Sequence, residues 1–264
     1  MPYIRNPLVR KLYSTAGGIS LGFYFMGAQL LLMFVQILGS FLLLKTLPVR
    51  VGTILAPLFG GLCLLLRQIF EYSYGWEFVG LKSLMMQQAC KIHFLAAAML
   101  DQDKIKRGDT KEMTSREKRM AQIGDVTLFD YINYMLVLPT SFSGPQVEYF
   151  DANEFLNCRS DAKMRSHSHI LPGIVRFLQA VSALGLLTVL LEYFDTQWMF
   201  TEEFGQKNIV FKTFHLIVCM NLIIIKLMYV FGTVEACMIL SGLGYRAEHL
   251  NDKGVKVAEN YNSI

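Results

Sequence analysis

From Ile19 to Leu44 the chain carries no charged residue, a run of about 26 where about 20 apolar residues suffice to cross a bilayer. A buried helix of a water-soluble domain is seldom so apolar on every face. The run is also too long for the hydrophobic core of a secretory signal, and no small-residue cleavage site follows it. It is expected to cross a membrane as one helix, closed by Lys45, Pro48 and Arg50.

The rest of the chain repeats that pattern. Of its 264 residues 53% are hydrophobic and 17% charged, with a mean hydropathy of +0.36, and the charges are swept into short stretches. This predicts an all-α, polytopic transmembrane helical protein with re-entrant or interfacial helices, organised as a single membrane domain over residues 1–264. A net charge of +4 is too mild to argue for nucleic acid, and the basic residues sit at the edges of apolar runs, where snorkelling and anionic headgroups account for them. The five cysteines form no C-x-x-C pair and read as small, reduced hydrophobes.

A second span is expected from Val51 to Phe70, interrupted by Pro57 and Gly60-Gly61, and followed by an interfacial aromatic cluster of Tyr72, Tyr74, Trp76 and Phe78. Leu84 to Leu100 carries Gln87, Gln88, Lys91 and His93, and reads either as a packed inner helix or as an interfacial one. The positive-inside rule would place the basic N-terminus and the charged part, 101–119, of the polar loop 101–124 on the same cytosolic side. Three spans between them would separate the two, so either Leu84–Leu100 does not cross or one charge cluster lies on the other side, and the first is expected. Residues 159–169 form a second polar loop. Gly173 to Phe194 is a third clear span, with Trp198 and Phe200 at its far interface. Ile209 to Tyr245, about 37 residues, exceeds the roughly 20 of one straight crossing, so two helices, or a span plus a re-entrant piece, are expected.

Ionisable residues inside apolar segments are costly and mark sites to inspect first. Lys226 and Glu235 are too far apart to pair on one helix, where neighbours lie three or four residues apart. His215 and Asn221 point about 120° apart on a helix and would not meet, so His215 reads as bonding across to another helix rather than as a base with its orienting partner. His167 and His169 lack a carboxylate or thiolate in register, and no metal site is expected. The stretch Thr127 to Asp151 stands apart. It is mildly apolar, rich in aromatics, too short to span, and broken by Pro139 and Gly144-Pro145. Irregular backbone at membrane depth is tolerated only where it is buried in protein or lines a wet cavity. A re-entrant element and an interfacial helix ending in an ordinary loop both satisfy these residues.

The sequence F-D-Y-I-N-Y followed by L-P-T-S-F-S-G-P-Q-V-E-Y-F-D resembles a signature of the membrane-bound O-acyltransferase family, and in particular of its lysophospholipid acyltransferase branch. Three further pieces agree in order: F-E-Y-S-Y-G-W-E, then K-L-M-Y-V-F-G-T-V-E-A-C-M-I-L-S-G-L-G-Y, then E-N-Y-N-S-I. The resemblance runs from about Phe70 to the C-terminus. It implies an enzyme of the endoplasmic reticulum that moves an acyl chain from acyl-CoA, as co-substrate with no bound cofactor, to the hydroxyl of a lysophospholipid. Tyr131, Tyr134, Pro139, Gly144, Pro145, Glu148, Tyr149 and Glu235 are the substrate-chamber candidates it suggests.

Members of the family use an intramembrane His, helped by an Asn, that lie beyond the E-A-C…S-G-x-G-Y motif. His215 precedes that motif, and Asn260 and Asn262 lack the expected W-N-x-x-T context, so no catalytic residue is carried over. The expectation is an N-terminal portion of such an enzyme, inactive alone. The alternative is a non-catalytic membrane scaffold or lipid-binding protein derived from the family. A transporter would lean on Lys226 and Glu235, but no repeated half supports it.

Overall fold

The computed structural model describes residues 4–74, 81–110, 113–138, 140, 146–159 and 169–243, together with the two short strands 249–250 and 256–257. Apart from that antiparallel strand pair, His249–Leu250 with Lys256–Val257, the regular structure described is helical.

Helix α1, Pro7–Met26, begins where the Asn6 side chain accepts hydrogen bonds from Leu8 N at 3.0 Å and Val9 N at 3.5 Å, with Pro7 at a position that needs no donor. It stops at Gly27, whose φ of 55° and ψ of −134° suit a residue without Cβ. A single 3-10 turn, Gly27–Gln29, leads into α2, Leu30–Thr46. The uncharged run from Ile19 to Leu44 is therefore parts of two helices and not one continuous helix. Hydropathy reports an apolar environment but is blind to a change of direction inside it.

Three stretches among the described residues are long and apolar enough to cross a membrane: Val49–Ser73, Ile170–Phe200 and Ile209–Ser241. The first lies in α3, Val49–Tyr74, which continues through Pro57. The second contains α8, Ile170–Tyr193. The third is α10, Ile209–Ser241, one unbroken helix of 33 residues, which corrects the expectation of two pieces. At 1.5 Å per residue it is about 50 Å long, more than the roughly 30 Å of hydrocarbon, so it tilts or projects. Its ionisable residues do not interrupt it, because the buried ones are partnered off the helix and Gly232 serves packing instead of bending. A Cβ at Gly232 would stand 3.1 Å from Ala180 Cβ, so its absence lets α8 and α10 approach closely. The helix ends at Gly242, in the left-handed conformation with φ 87°.

Between these lie α4, Leu81–Lys106, and three short helices: α5, Ser115–Met120; α6, Leu128–Met135; and α7, Tyr149–Leu156. A one-turn helix, α9, Glu202–Gly205, precedes α10. Of the two readings open for Leu84–Leu100, the packed inner helix holds: Leu84, Gln88, Lys91, Ile92 and Leu95 are all fully buried. Within the polar stretch 101–124, α4 continues to Lys106, and the short helix α5 is opened by a capping box between Thr114 and Glu117. The main core joins α2, α4, α6 and α7. Outside it, Leu31, Leu58, Phe214 and Met228 are more than half exposed, as a surface solvated by lipid tails allows.

α1 lies against the segment that follows α6. A Cβ on Gly18 would collide with Leu136 O, a backbone atom that no rotamer change can move. Gly18→Val is accordingly expected to cost about 1–3 kcal/mol of stability, read as a lower unfolding midpoint in detergent. At Gly61, whose Cβ would meet nothing within 4 Å, alanine should be tolerated.

Candidate functional site

Helix α6 is short because it is sheltered. Thr127 caps its start by accepting from Asp130 N at 3.2 Å. Burial alone would raise the Asp130 carboxyl, but the Thr127 hydroxyl and the Lys11 ammonium at 2.7 Å outweigh it and hold it below the usual carboxylate range. The other end stops inside the protein, where the last carbonyls of a helix need external donors. Gln88 Nε2 donates to Met135 O at 2.9 Å, and Lys91 Nζ donates to Tyr134 O at 3.2 Å and to Met135 O at 3.1 Å. Ser14 Oγ then accepts from Leu138 N at 3.1 Å. Each donor or acceptor comes from α1 or α4, so the backbone that leaves α6 is satisfied by protein and not by lipid.

The side chains of α6 continue the network. Ser40 gives its one hydroxyl proton to the carbonyls of its own helix, with Gln36 O at 2.7 Å, so Tyr131 OH is the donor in the 2.7 Å bond between Tyr131 and Ser40 Oγ. Asn133 accepts from Thr15 Oγ1 at 2.5 Å and donates to Phe129 O at 2.6 Å. Tyr134 OH donates to Val147 O at 3.0 Å, which ties α6 to the residues leading into α7. Its ring meets Tyr149 edge-on with centroids 5.2 Å apart, a favoured aromatic geometry.

α7 is anchored at both ends. Arg116 and Arg119, one turn apart on α5, pair with Glu148 and Asp151, one turn apart at the start of α7; the Arg119–Asp151 distance is 2.7 Å. At the far end Arg10, fully buried, donates to Phe155 O at 2.7 Å and lies 5.1 Å over the Phe155 ring. Between α4, α5 and α7 is a cavity of about 200 Å³ lined by Phe94, Asp101, Arg116, Glu148 and Tyr149.

The structure thus brings Tyr131, Tyr134, Glu148 and Tyr149 together around α6 and α7. Pro139, Gly144 and Pro145 lie outside the described residues. Glu235 has other company: Arg176 of α8 holds it through Nε at 2.7 Å and Nη2 at 2.5 Å. His215 and Asn221 do not meet. Asn221 is exposed and donates to Ile217 O at 2.8 Å, while His215 is ringed by Phe194, Trp198, Phe204 and Phe211, with Nε2 3.3 Å from Asp195 O. No group of three or more metal-ligating side chains occurs among the described residues. Sequence reasoning missed Ser14, Ser40, Gln88 and Lys91 as members of the site. The signal for the last two was present, since Leu84, Gln88, Lys91 and Leu95 recur at the spacing of one helical face.

Three stretches of crossing length among the described residues, with apolar side chains widely exposed on their surfaces, define a polytopic helical membrane protein. The chain matches MBOAT, the membrane-bound O-acyltransferase family, over residues 41–263, and belongs to that family. It is similar to the lysophospholipid acyltransferase of Saccharomyces cerevisiae (strain ATCC 204508 / S288c), with 24% identity over 187 residues, covering 63% of this chain and 30% of the yeast protein. The chain therefore spans less than a third of the length of that relative by alignment.

Proposed function

We propose that the chain forms the lipid-chamber part of a lysophospholipid O-acyltransferase of the endoplasmic reticulum, which moves an acyl chain from acyl-CoA to a lysophospholipid hydroxyl. The observation that carries this reading is the polar core around α6 and α7, set among helices whose outer faces are apolar. Such an arrangement suits a substrate with a reactive polar end and a long hydrocarbon tail. In this reading Tyr131, Tyr134, Tyr149 and Glu148, with Pro139, Gly144 and Pro145, line the chamber, and Glu235 contributes by locking α8 to α10.

Acyl transfer from a thioester needs a base to take the acceptor hydroxyl's proton and donors where charge develops on the carbonyl oxygen. The described core supplies the Tyr131 and Tyr134 hydroxyls, the Gln88 amide and the Lys91 amine, each engaged in hydrogen bonds to protein, but no histidine. His93 is exposed on α4, and His215 stands in its aromatic ring on another part of the fold. The base is therefore assigned outside the residues described in this core, and these residues position lipid without doing the chemistry.

The test is acyl transfer from oleoyl-CoA to lysophosphatidylcholine, followed by mass spectrometry on the purified 264-residue chain. No turnover is expected from the chain alone, and His215→Ala is expected to change nothing. Turnover that His215→Ala abolished would overturn this assignment of roles. The second reading, a lipid-binding scaffold derived from the family, is favoured by the same core without a histidine. It predicts binding of lysophosphatidylcholine, seen as a raised unfolding midpoint, that added oleoyl-CoA does not alter.

A further inference from the structure

Helices α8 and α10 run antiparallel in one register. The Cβ position of Gly173 faces Leu240 and Ile239, Arg176 bonds Glu235, and Ala180 faces Gly232. Because Ala180 and Gly232 are small, the helix surfaces leave a trough of about 370 Å³ between them. Ala183 and Ile224 close one end, and Leu227, Met228 and Phe231 form the wall on α10. Arg176 and Gln179 stand at the other end.

The polarity of that end is one-sided. The Glu235 side chain is 10% exposed and the Arg176 side chain 40%, so the carboxylate lies behind and the guanidinium faces outwards. A guanidinium has five N–H donors. One N–H each on Nε and Nη2 serves Glu235, and one on Nη1 serves Gln179 Oε1 at 3.1 Å, which leaves the second N–H of Nη1 and of Nη2 for an outside acceptor. Both helices are long and apolar enough to cross a membrane, so the trough opens towards lipid.

We infer that this trough holds one membrane phospholipid as a resident lipid, with its phosphate on Arg176 and an acyl chain laid along Ala180, Ala183 and Leu227. A phosphodiester joined to a hydrocarbon chain is complementary to a cation at the head of an apolar slot. A second copy of the chain fits less well, because a two-fold contact through this face would bring two Arg176 side chains together. An apolar helix would fill the slot but leave the outward Arg176 N–H groups, those not bonded to Glu235 or Gln179, without an acceptor. The inference does not depend on the proposed enzymatic activity.

The 264-residue chain, purified in detergent, is titrated with palmitoyl-oleoyl phosphatidylglycerol or with palmitoyl-oleoyl glycerol, which lacks the phosphate, and weighed intact by native mass spectrometry. One phosphatidylglycerol per chain is expected, retained about tenfold better than the neutral lipid. The double variant R176Q/E235Q keeps an amide pair but no charge. It should bring phosphatidylglycerol down to the level of the neutral lipid and leave the neutral lipid unchanged. A183F fills the trough away from the ion pair and should lose both lipids. Equal phosphatidylglycerol retention by the wild type and both variants would overturn the inference. So would a dimeric wild type that A183F converts to a monomer, since the trough would then be covered by a second copy.

Discussion

Lys91→Met is expected to lower the stability of the purified chain by about 1–3 kcal/mol, and its combination with Gln88→Leu to cost more than the two single changes added together. The reason lies in how the two donors share two carbonyls. Among side chains Tyr134 O receives Lys91 alone, at 3.2 Å, beside a long 3.5 Å bond from Val137 N, whereas Met135 O receives both Lys91 at 3.1 Å and Gln88 at 2.9 Å. Removing Lys91 leaves Tyr134 O with only the long bond from Val137 N, and Met135 O with Gln88. Removing Gln88 leaves Met135 O with Lys91. Only the double variant strips both carbonyls of every side-chain donor in a place where neither lipid nor bulk water reaches them, and a hydrogen bond lost there costs desolvation that nothing offsets. Unfolding midpoints in detergent, with hydrogen exchange at residues 131–138, measure the effect. Leu58→Ala, on the exposed face of α3, is the control and should stay within about 0.5 kcal/mol. A double variant that only summed, or fell below the sum, would mean that water enters beneath α6 and satisfies those carbonyls.

That cap also shows why the interior was harder to read than the spans. In a water-soluble domain a polar stripe on a helix marks the outside. In a membrane the outside is hydrocarbon, and the stripe turns inwards. Gln88 and Lys91 weakened the case for Leu84–Leu100 as a crossing, and α4 does not reach the apolarity of the three crossing-length stretches. The same two residues mark its buried face, which hydropathy alone does not reveal. Tyr131 and Tyr134 were legible because they sit one turn apart in a motif with a family resemblance. Ser40, which bonds Tyr131, comes from elsewhere in the chain and carries no motif, and Val147 bonds Tyr134 through its backbone carbonyl, which no side-chain pattern marks. The break at Gly27 was invisible for another reason. No proline or charge marks it, and a glycine in an apolar run is as often a packing residue, as Gly232 proves to be. Length misled at α10, where about 37 apolar residues suggested two pieces, although nothing between Ile209 and Ser241 takes away a backbone hydrogen bond.

Glu235→Leu is expected to destabilise the pairing of α8 with α10 by about 2–4 kcal/mol, because it leaves the Arg176 guanidinium in an apolar groove without its carboxylate. Arg176→Leu should cost a similar amount, since the carboxylate it abandons is the more deeply buried partner. The double variant R176L/E235L should recover most of the loss. Two leucines pack against neighbours such as Leu227 and Phe231 and bury no charge, and replacing an ion pair by apolar side chains of similar volume is often close to neutral. A double-mutant cycle on unfolding midpoints measures this coupling. The cycle also separates two roles for Glu235. If the acid only locks the helices, stability falls in the single variants and returns in the double one. If it faces a substrate chamber, as the motif V-E-A-C suggests by resemblance, the double variant regains its stability but not lysophospholipid binding. The 10% exposure of the Glu235 side chain, under the guanidinium of Arg176, favours the lock.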